Sequence, residues 1–313
     1  MSTSVRVGTE STATLGGRRE TLVSRIARQT GRMGLLFPAV ALMAVFLVGP
    51  IAYSVYGSLT NAALSGYKAA NPEFVGLENY VELLTSTAFW KAVLLTVIFV
   101  FASAVVGQNI LGLALAMLMR KAPKILSTLV GGIVVIAWVM PEIVAAFALY
   151  AFFSTDGTLN VLLSYIGLGG TTWLLTFPMF SVIMANIWRG TAFSMMVYSA
   201  ALAEVPPEIQ EAAKVDGARG WQRFFFVTLP MIKGSISTNL LLTTLQTLGV
   251  FTLLWVMTGG GPGTQSTTLP VMAYQEAFKN SLIGYGTAIA TVTIVLGALF
   301  ALVYIRALKP EVD

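Results

Sequence analysis

The chain consists of long apolar stretches separated by shorter polar connections. A membrane core about 30 Å thick requires about 20 consecutive apolar residues in a helix, because each residue rises about 1.5 Å and backbone groups must bond within the segment. Six stretches are long enough to cross it, at residues 35–56, 92–119, 125–153, 173–200, 236–257 and 282–305. The pattern therefore predicts an all-α, polytopic membrane protein with six transmembrane helices.

Lysine and arginine are distributed unevenly between the connections. Fifteen of the 19 basic residues fall on one predicted side: Arg6, Arg18, Arg19, Arg25, Arg28, Arg32, Arg120, Lys121, Lys124, Lys214, Arg219, Arg223, Lys233, Arg306 and Lys309. The opposite side has Lys68, Lys91 and Lys279, and Arg189 lies within a span. Because basic residues concentrate in cytoplasmic connections, we expect both termini to be cytoplasmic. The predicted organisation is a tail at 1–33, a transmembrane domain at 34–306 with a cytoplasmic loop at 203–233, and a tail at 307–313.

Composition narrows the class of protein further. The chain is 56% hydrophobic and 11% charged, whereas soluble domains have about 25% charged residues. It contains no cysteine and no histidine, which excludes disulfides, thiolate metal sites and histidine-dependent catalytic sites. The basic residues lie between apolar segments rather than along one face, so nucleic acid is not an expected partner. We therefore expect no catalytic residues and no metal site.

The loop at 203–233 carries the most specific pattern. Pro206 and Pro207 precede a short helical run that ends at Val215, as proline favours a helix start. Gly217 is then expected to end this helix, since glycine readily adopts the positive φ found at a helix C-terminus. A second amphipathic run covers 221–228. The loop contains, at fixed spacing, Glu211, Ala212, Ala213, Lys214, Val215, Asp216, Gly217, Ala218, Trp221, Phe224, Leu229 and Pro230.

This loop resembles that of the inner-membrane permease subunits of ATP-binding-cassette (ABC) importers, within them the sugar permeases related to the maltose importer. The resemblance implies a permease domain at 34–306, a multi-pass protein of the bacterial cytoplasmic membrane, and a coupling helix that docks on an ATPase. The docking residues it implies are Glu211, Ala212, Ala213, Asp216, Gly217, Arg219, Leu229 and Pro230. An ordinary amphipathic helix at the membrane interface is the alternative.

The resemblance also implies the other components of the transporter. They are a second, related permease subunit, two ATPase subunits that bind ATP and Mg²⁺, and an extracytoplasmic solute-binding protein. This chain has no phosphate-binding loop of its own and is expected to bind no cofactor. Residues 74–80 and 258–264 resemble external segments of the sugar permeases, and Gly259, Gly260, Gly261 and Pro262 are candidate contacts for the solute-binding protein. A flexible turn is the alternative for these glycines.

Polar residues within the predicted spans are candidates for the substrate path. A charge at the membrane centre costs at least about 2.5 kcal/mol and usually faces a bundle interior or a water-filled cavity. Glu142 and Arg189 differ in predicted depth by roughly 6 Å at 1.5 Å per residue, so an ion pair is possible and packing without ligand contact stays open. The candidate path residues are Glu142, Asn186, Trp188, Arg189, Gln246 and Phe251.

Three other functions compete with sugar import. A permease for glycerol phosphate or another small polar solute would share the same pattern. A secondary transporter would commonly have discontinuous or repeated spans and its own ion-coupling groups, and neither is evident from the sequence. A membrane enzyme would require clustered carboxylates or histidines, which the chain lacks.

Overall fold

The computed structural model of the chain describes residues 37–307. The described residues divide into two units between Tyr53 and Ser54. The predicted N-terminal tail with its six arginines, Leu35, and the C-terminal tail beyond residue 307 with Lys309 lie outside the described residues.

The described part of the chain is almost entirely helical. Its longer helices are Phe37–Ser58, Thr87–Lys121, Lys124–Val139, Glu142–Phe153, Pro178–Ala203, Lys233–Leu248 and Ile283–Ala307. Its shorter helices are Tyr67–Ala70, Glu78–Thr85, Thr158–Tyr165, Trp173–Thr176, Pro207–Val215, Gly220–Met231, Thr252–Met257 and Leu269–Tyr274. Within residues 37–307 there is no strand, and one isolated bridge joins Thr60 and Phe74. The all-α prediction is confirmed for these residues.

Four of the described helices are long and apolar enough to cross a membrane: Phe37–Ser58, Thr87–Lys121, Glu142–Tyr165 and Ile283–Arg306. The third of these takes the helices Glu142–Phe153 and Thr158–Tyr165 together. A fifth counts if Gly220–Met231 and Lys233–Leu248 are taken as one bent span. Phe37–Ser58, Thr87–Lys121 and Ile283–Arg306 match the predicted first, second and sixth spans. The three spans between them differ from the simple prediction, because they are broken or unusually polar.

The predicted third span, 125–153, was wrong as a single helix. It forms two helices that meet at Met140 and Pro141, and both of these residues are extended, with ψ of 133° and 136°. Proline lacks an N–H group and its ring disfavours the helical conformation in the residue before it. The break places Glu142 at the start of the second helix.

The predicted fifth span, 236–257, is also discontinuous. Helix Lys233–Leu248 ends at Gly249, and helix Thr252–Met257 begins after Phe251. Discontinuous helices at membrane depth are tolerated where the backbone is buried in protein or lines a cavity. Their presence overturns the sequence argument that this chain lacks the broken spans of secondary transporters.

The predicted fourth span, 173–200, begins late and is only partly apolar. Phe177 precedes a proline and interrupts the helix, which then runs over Pro178–Ala203. This helix buries many polar residues, including Ser181, Asn186 and Ser194. This helix therefore packs inside the protein, where buried polar side chains are tolerated when they are hydrogen-bonded.

A buried polar seam joins this helix to Thr87–Lys121 and Lys233–Leu248. Asn239 Nδ2 donates to Asn109 Oδ1 at 2.8 Å and to Ser194 Oγ at 2.9 Å. The Tyr198 hydroxyl donates to the same Asn109 oxygen. The helices approach closely at Gly112, where an added Cβ would lie 2.4 Å from Ser194 Cβ. The seam fixes the register of the three helices beside the cavity described next.

Candidate functional site

A polar cavity of about 350 Å³ lies where the broken helices meet the buried seam. It is lined by Gln108, Trp138, Glu142, Asn186, Arg189, Gly190, Gln246, Thr247, Gly249 and Val250. The structure thus brings together four of the six candidate path residues, from three different predicted spans. Gln246 is exposed, so the cavity is open on its side.

Asn186 is held firmly at the back of this cavity. Its side chain is 3% exposed. Its Nδ2 donates to Ser103 Oγ at 2.8 Å and to Thr247 Oγ1 at 3.3 Å. Gln108 Nε2 donates to the backbone oxygen of Asn186 at 3.1 Å. These bonds orient amide groups around the cavity, as an interior polar network can when its members are satisfied.

The two charged candidates do not bond to each other. Glu142 Oε1 accepts a hydrogen bond from the backbone N–H of Leu253 at 3.2 Å, which satisfies an N–H in the first turn of helix Thr252–Met257. Arg189 Nε is buried without a hydrogen-bond partner. Between these two side chains of the described region there is no ion pair, although both line the cavity. Arg189 therefore lines the cavity without an ionic partner among the described residues.

The aromatic ring at this cavity is one that sequence reasoning missed. Trp138 lines it and stacks on Phe193, with ring centroids 5.9 Å apart. Trp188 instead lines a separate apolar cavity of about 570 Å³, and Phe251 packs in an aromatic cluster with Trp255 and Tyr274. Trp138 and Glu142 lie on either side of the break at Met140 and Pro141, so no helical spacing in the sequence indicated that both line one cavity.

The candidate contacts for a solute-binding protein lie in the turn after helix Thr252–Met257. Gly261 and Pro262 line a third cavity of about 600 Å³ with Tyr150 and Asp156. Gly260 is buried. Only part of the Gly259–Pro262 turn therefore faces this cavity.

The loop at 203–233 forms the predicted helix pair. Helix Pro207–Val215 ends at Asp216, and Gly217 follows with φ of 80°, a conformation that favours glycine. A second helix, Gly220–Met231, contains Leu229 and Pro230 and meets Lys233–Leu248 at a bend of 70°. Gln210 Nε2 donates to Thr228 Oγ1 at 2.9 Å and ties the two short helices together.

The first helix of this pair has no described neighbour over its outer face. Glu211, Ala212, Asp216, Gly217 and Arg219 are exposed. Val215, one turn after Glu211 and on the same face, is 87% exposed. Val215 lies inside the motif but was not among the candidate docking residues, and the structure shows it exposed on the same face as Glu211.

Fold and site together define a class: a polytopic helical membrane protein with a polar cavity between broken helices and an exposed helix pair. The family model for the inner membrane component of binding-protein-dependent transport systems matches residues 108–313. The chain is 31% identical over 290 residues to the trehalose/maltose transport system permease protein MalF of Thermococcus litoralis, covering 91% of this chain and 96% of that protein. It is 33% identical over 285 residues to the sulfoquinovosyl glycerol transport system permease protein SmoG of Agrobacterium fabrum, covering 88% and 90%.

Solved structures agree on the fold. The chain resembles a subunit in the crystal structure of a bacterial alginate ABC transporter in complex with an alginate pentasaccharide-bound periplasmic protein, with a TM-score of 0.76, 24% identity, and coverage of 92% of this chain and 97% of that one. This chain therefore belongs to the family of inner membrane components of binding-protein-dependent transport systems. It is a multi-pass membrane transport component.

Proposed function

We propose that this chain is the permease subunit of an ABC importer that moves a sugar, a di- or oligosaccharide, across the cytoplasmic membrane. The observation that carries the proposal is the polar cavity between broken helices, lined by Glu142, Asn186, Arg189 and Gln246. Its volume lies within the range of about 300–1,000 Å³ for small-molecule sites. Its open side is the place where a second permease subunit completes the path.

The lining suits a neutral, hydroxyl-rich solute. One acidic and one basic side chain line the cavity, so neither charge dominates, and amides with one tryptophan ring supply hydrogen bonds and an apolar plate. Relatives named for trehalose/maltose and trehalose transport support the same class of substrate. Import of glycerol phosphate is the alternative, and Arg189 without an ionic partner is the feature that would serve it.

The proposed topology has six crossings and cytoplasmic termini. Thr87–Lys121 crosses as one helix. We assign the third crossing to Lys124–Val139 together with Glu142–Phe153 across the break at Pro141, although Glu142–Tyr165 is by itself long and apolar enough to cross. Two contacts support a consistent sidedness. Arg120 and Arg223, from connections assigned to the cytoplasm, line one cavity, and Lys91 Nζ donates to Thr264 Oγ1 at 2.8 Å between connections assigned outside.

The exposed helix pair is proposed as the ATPase docking site. Glu211 and Val215 present a charged and an apolar contact on one face, and Ala212, Ala213, Asp216, Gly217 and Arg219 complete the surface. ATP and Mg²⁺ bind in two partner ATPases, and this chain binds no cofactor. On the outer side, the solute-binding protein contacts the Gly259–Pro262 turn.

A short mechanical route connects docking to transport. Movement of the helix pair acts through Leu229 and Pro230 on the 70° bend. Beyond the bend, helix Lys233–Leu248 carries Gln246 and Thr247 into the cavity wall. ATP-driven closure of the ATPases thus changes access to the cavity by rigid movement of packed helices.

A double-mutant cycle tests the path. Glu142→Gln, Arg189→Gln and the double variant are compared with the matched control Glu82→Gln, an exposed acidic residue elsewhere, for sugar uptake and substrate-stimulated ATP hydrolysis in proteoliposomes of the complete transporter. We expect both activities to fall in the single variants and the control to be unaffected. Normal activity in all three variants would show that the polar cavity is not part of the substrate path. Poor assembly of the single variants with recovery in the double variant would assign the pair to packing.

Uptake assays also separate the competing functions. Competition between labelled trehalose or maltose and unlabelled glycerol 3-phosphate identifies the substrate class. Transport by this chain without any ATPase would instead indicate a secondary transporter.

Co-purification tests the docking surface. Val215→Asp and Glu211→Gln are expected to lower the amount of ATPase recovered with the permease, and Glu78→Gln, on the outer connection, to leave it unchanged. Undiminished recovery with both loop variants would contradict docking at this helix.

A further inference from the structure

A fourth cavity, which we call the inner-face pocket, lies between the end of helix Thr87–Lys121 and the helix pair of the 203–233 loop. Its volume is about 400 Å³. It is lined by Met117, Arg120, Lys121, Leu202, Gln210, Gly220, Arg223, Phe224 and Thr228. None of these residues belongs to the docking set or to the polar cavity lining.

Three basic side chains, those of Arg120, Lys121 and Arg223, line the inner-face pocket, and no acidic residue of the described part of the chain lines it. Among the residues at 37–307, Arg223 Nε is buried without a hydrogen-bond partner, although a buried guanidinium N–H normally finds an acceptor. The polar cavity, by contrast, is lined by the acidic Glu142 as well as by Arg189. The preference of basic residues for the cytoplasmic side places cations at helix ends, but it does not require two separate connections to aim them at one cavity.

The rest of the lining is amphiphilic. Met117, Leu202 and Phe224 form an apolar part. Gln210 and Thr228 are bonded to each other and line it beside the cations. Arginine matches the geometry of phosphate oxygens through several N–H donors, and the apolar part suits the carbon portion of a phosphate ester.

We propose that the inner-face pocket binds a phosphate group, either the headgroup phosphate of an anionic phospholipid or a soluble phosphate. The bound phosphate accepts hydrogen bonds from Arg223 and Arg120 and links the end of helix Thr87–Lys121 to the docking helices. Occupancy thereby holds the loop in one position relative to the spans. The proposal concerns binding alone, so it stands or falls separately from the transport function.

Native mass spectrometry of the complete transporter in a neutral detergent provides the test. Phosphatidylglycerol, phosphatidylcholine and inorganic phosphate are added in separate titrations to the unaltered protein and to Arg223→Gln. Lys124→Gln is the matched control, because Lys124 follows Lys121 by three residues in the same connection but does not line the pocket.

We expect one tight phosphate-bearing ligand per permease, with binding about tenfold weaker in Arg223→Gln and unchanged in Lys124→Gln, since charged hydrogen bonds are the stronger ones. Retention of phosphatidylglycerol over phosphatidylcholine identifies the lipid headgroup as the source, and saturable binding of inorganic phosphate identifies the soluble form. Arg223→Lys, which keeps the charge but not the fork of N–H donors, controls for misfolding and should bind with an affinity between those of the unaltered protein and Arg223→Gln. Equal binding by all variants, or no saturable binding of any probe, would overturn the proposal.

Discussion

The close contact at Gly112 allows a sharp test of the helix packing. Replacing Gly112 by alanine places a Cβ 2.4 Å from Ser194 Cβ and 2.9 Å from the Met195 backbone nitrogen. Carbon atoms pack best at about 3.5–4.0 Å, so the two helices must separate by about 1 Å. The obstacle includes backbone atoms, which cannot rotate away.

The expected magnitude follows from two opposing effects. Overpacking a well-packed core costs about 1–3 kcal/mol, whereas replacing glycine by alanine within a helix gains about 0.5–1 kcal/mol. We therefore expect Gly112→Ala to lower the free energy of unfolding by about 1–2 kcal/mol. For Gly132→Ala in helix Lys124–Val139, an added Cβ meets nothing within 4 Å. This variant therefore has no overpacking cost, and its free energy of unfolding should rise by about 0.5–1 kcal/mol.

Thermal denaturation of the purified chain in detergent measures the difference, at one fixed heating rate because membrane proteins often unfold irreversibly. A change of 1 kcal/mol shifts Tm by about 2–4 °C in domains of 150–250 residues. Gly112→Ala should fall several degrees below the unaltered protein and Gly132→Ala should not. A Tm for Gly112→Ala equal to that of Gly132→Ala would show that the helices are not in contact at Gly112.

Three further predictions concern the seam, the docking turn and the cavity. Asn239→Leu should lower the free energy of unfolding by about 1–2 kcal/mol, since hydrogen bonds between membrane helices contribute up to about 1.7 kcal/mol each. The control Thr238→Leu should leave it unchanged, because Thr238 is exposed and bonds within its own helix. Equal Tm values for the two variants would show that the Asn239 hydrogen bonds do not stabilise the protein. Gly217→Ala forces alanine into a φ of 80° at a cost of about 1 kcal/mol. The Gly217→Ala variant should lower the amount of ATPase that co-purifies with the permease, whereas Gly234→Ala should not. Full co-purification with Gly217→Ala would show that the turn at Gly217 is not needed for ATPase docking. Trp138→Ala should raise the KM for sugar about three- to tenfold with Trp138→Phe near normal, and an unchanged KM in Trp138→Ala would exclude ring contact with the sugar.

The apolar spans and the helix pair of the 203–233 loop could be predicted because their signals are contiguous. The helix Pro207–Val215 and its stop at Gly217 follow from proline, alanine and glycine within eleven residues, and the structure has both. The first, second and sixth spans likewise required only local hydropathy. The break at Met140 was present in the sequence as Pro141, but proline is often tolerated within membrane helices, so its effect depended on neighbours.

The candidate site was predicted in part. Charged and amide residues within spans are rare and costly, which identified Glu142, Asn186, Arg189 and Gln246 before any geometry was known. Aromatic residues give no comparable signal in an apolar chain, because a ring in a span packs favourably almost anywhere. Trp188 and Phe251 were therefore selected while Trp138, which lines the cavity, was passed over.

The sequence by itself determined that this protein lies in a membrane, where its most continuous spans are, and that it has a charged loop with a family-specific motif. These are properties of neighbouring residues and need no fold to be expressed. Tertiary structure decided where helices break, that Glu142 caps a helix instead of pairing with Arg189, and which ring faces the cavity. Those outcomes depend on contacts between distant residues, such as Asn186 with Ser103, 83 positions apart, and Asn239 with Asn109, 130 apart. Packing and the satisfaction of buried polar groups select such partners only once the helices are assembled.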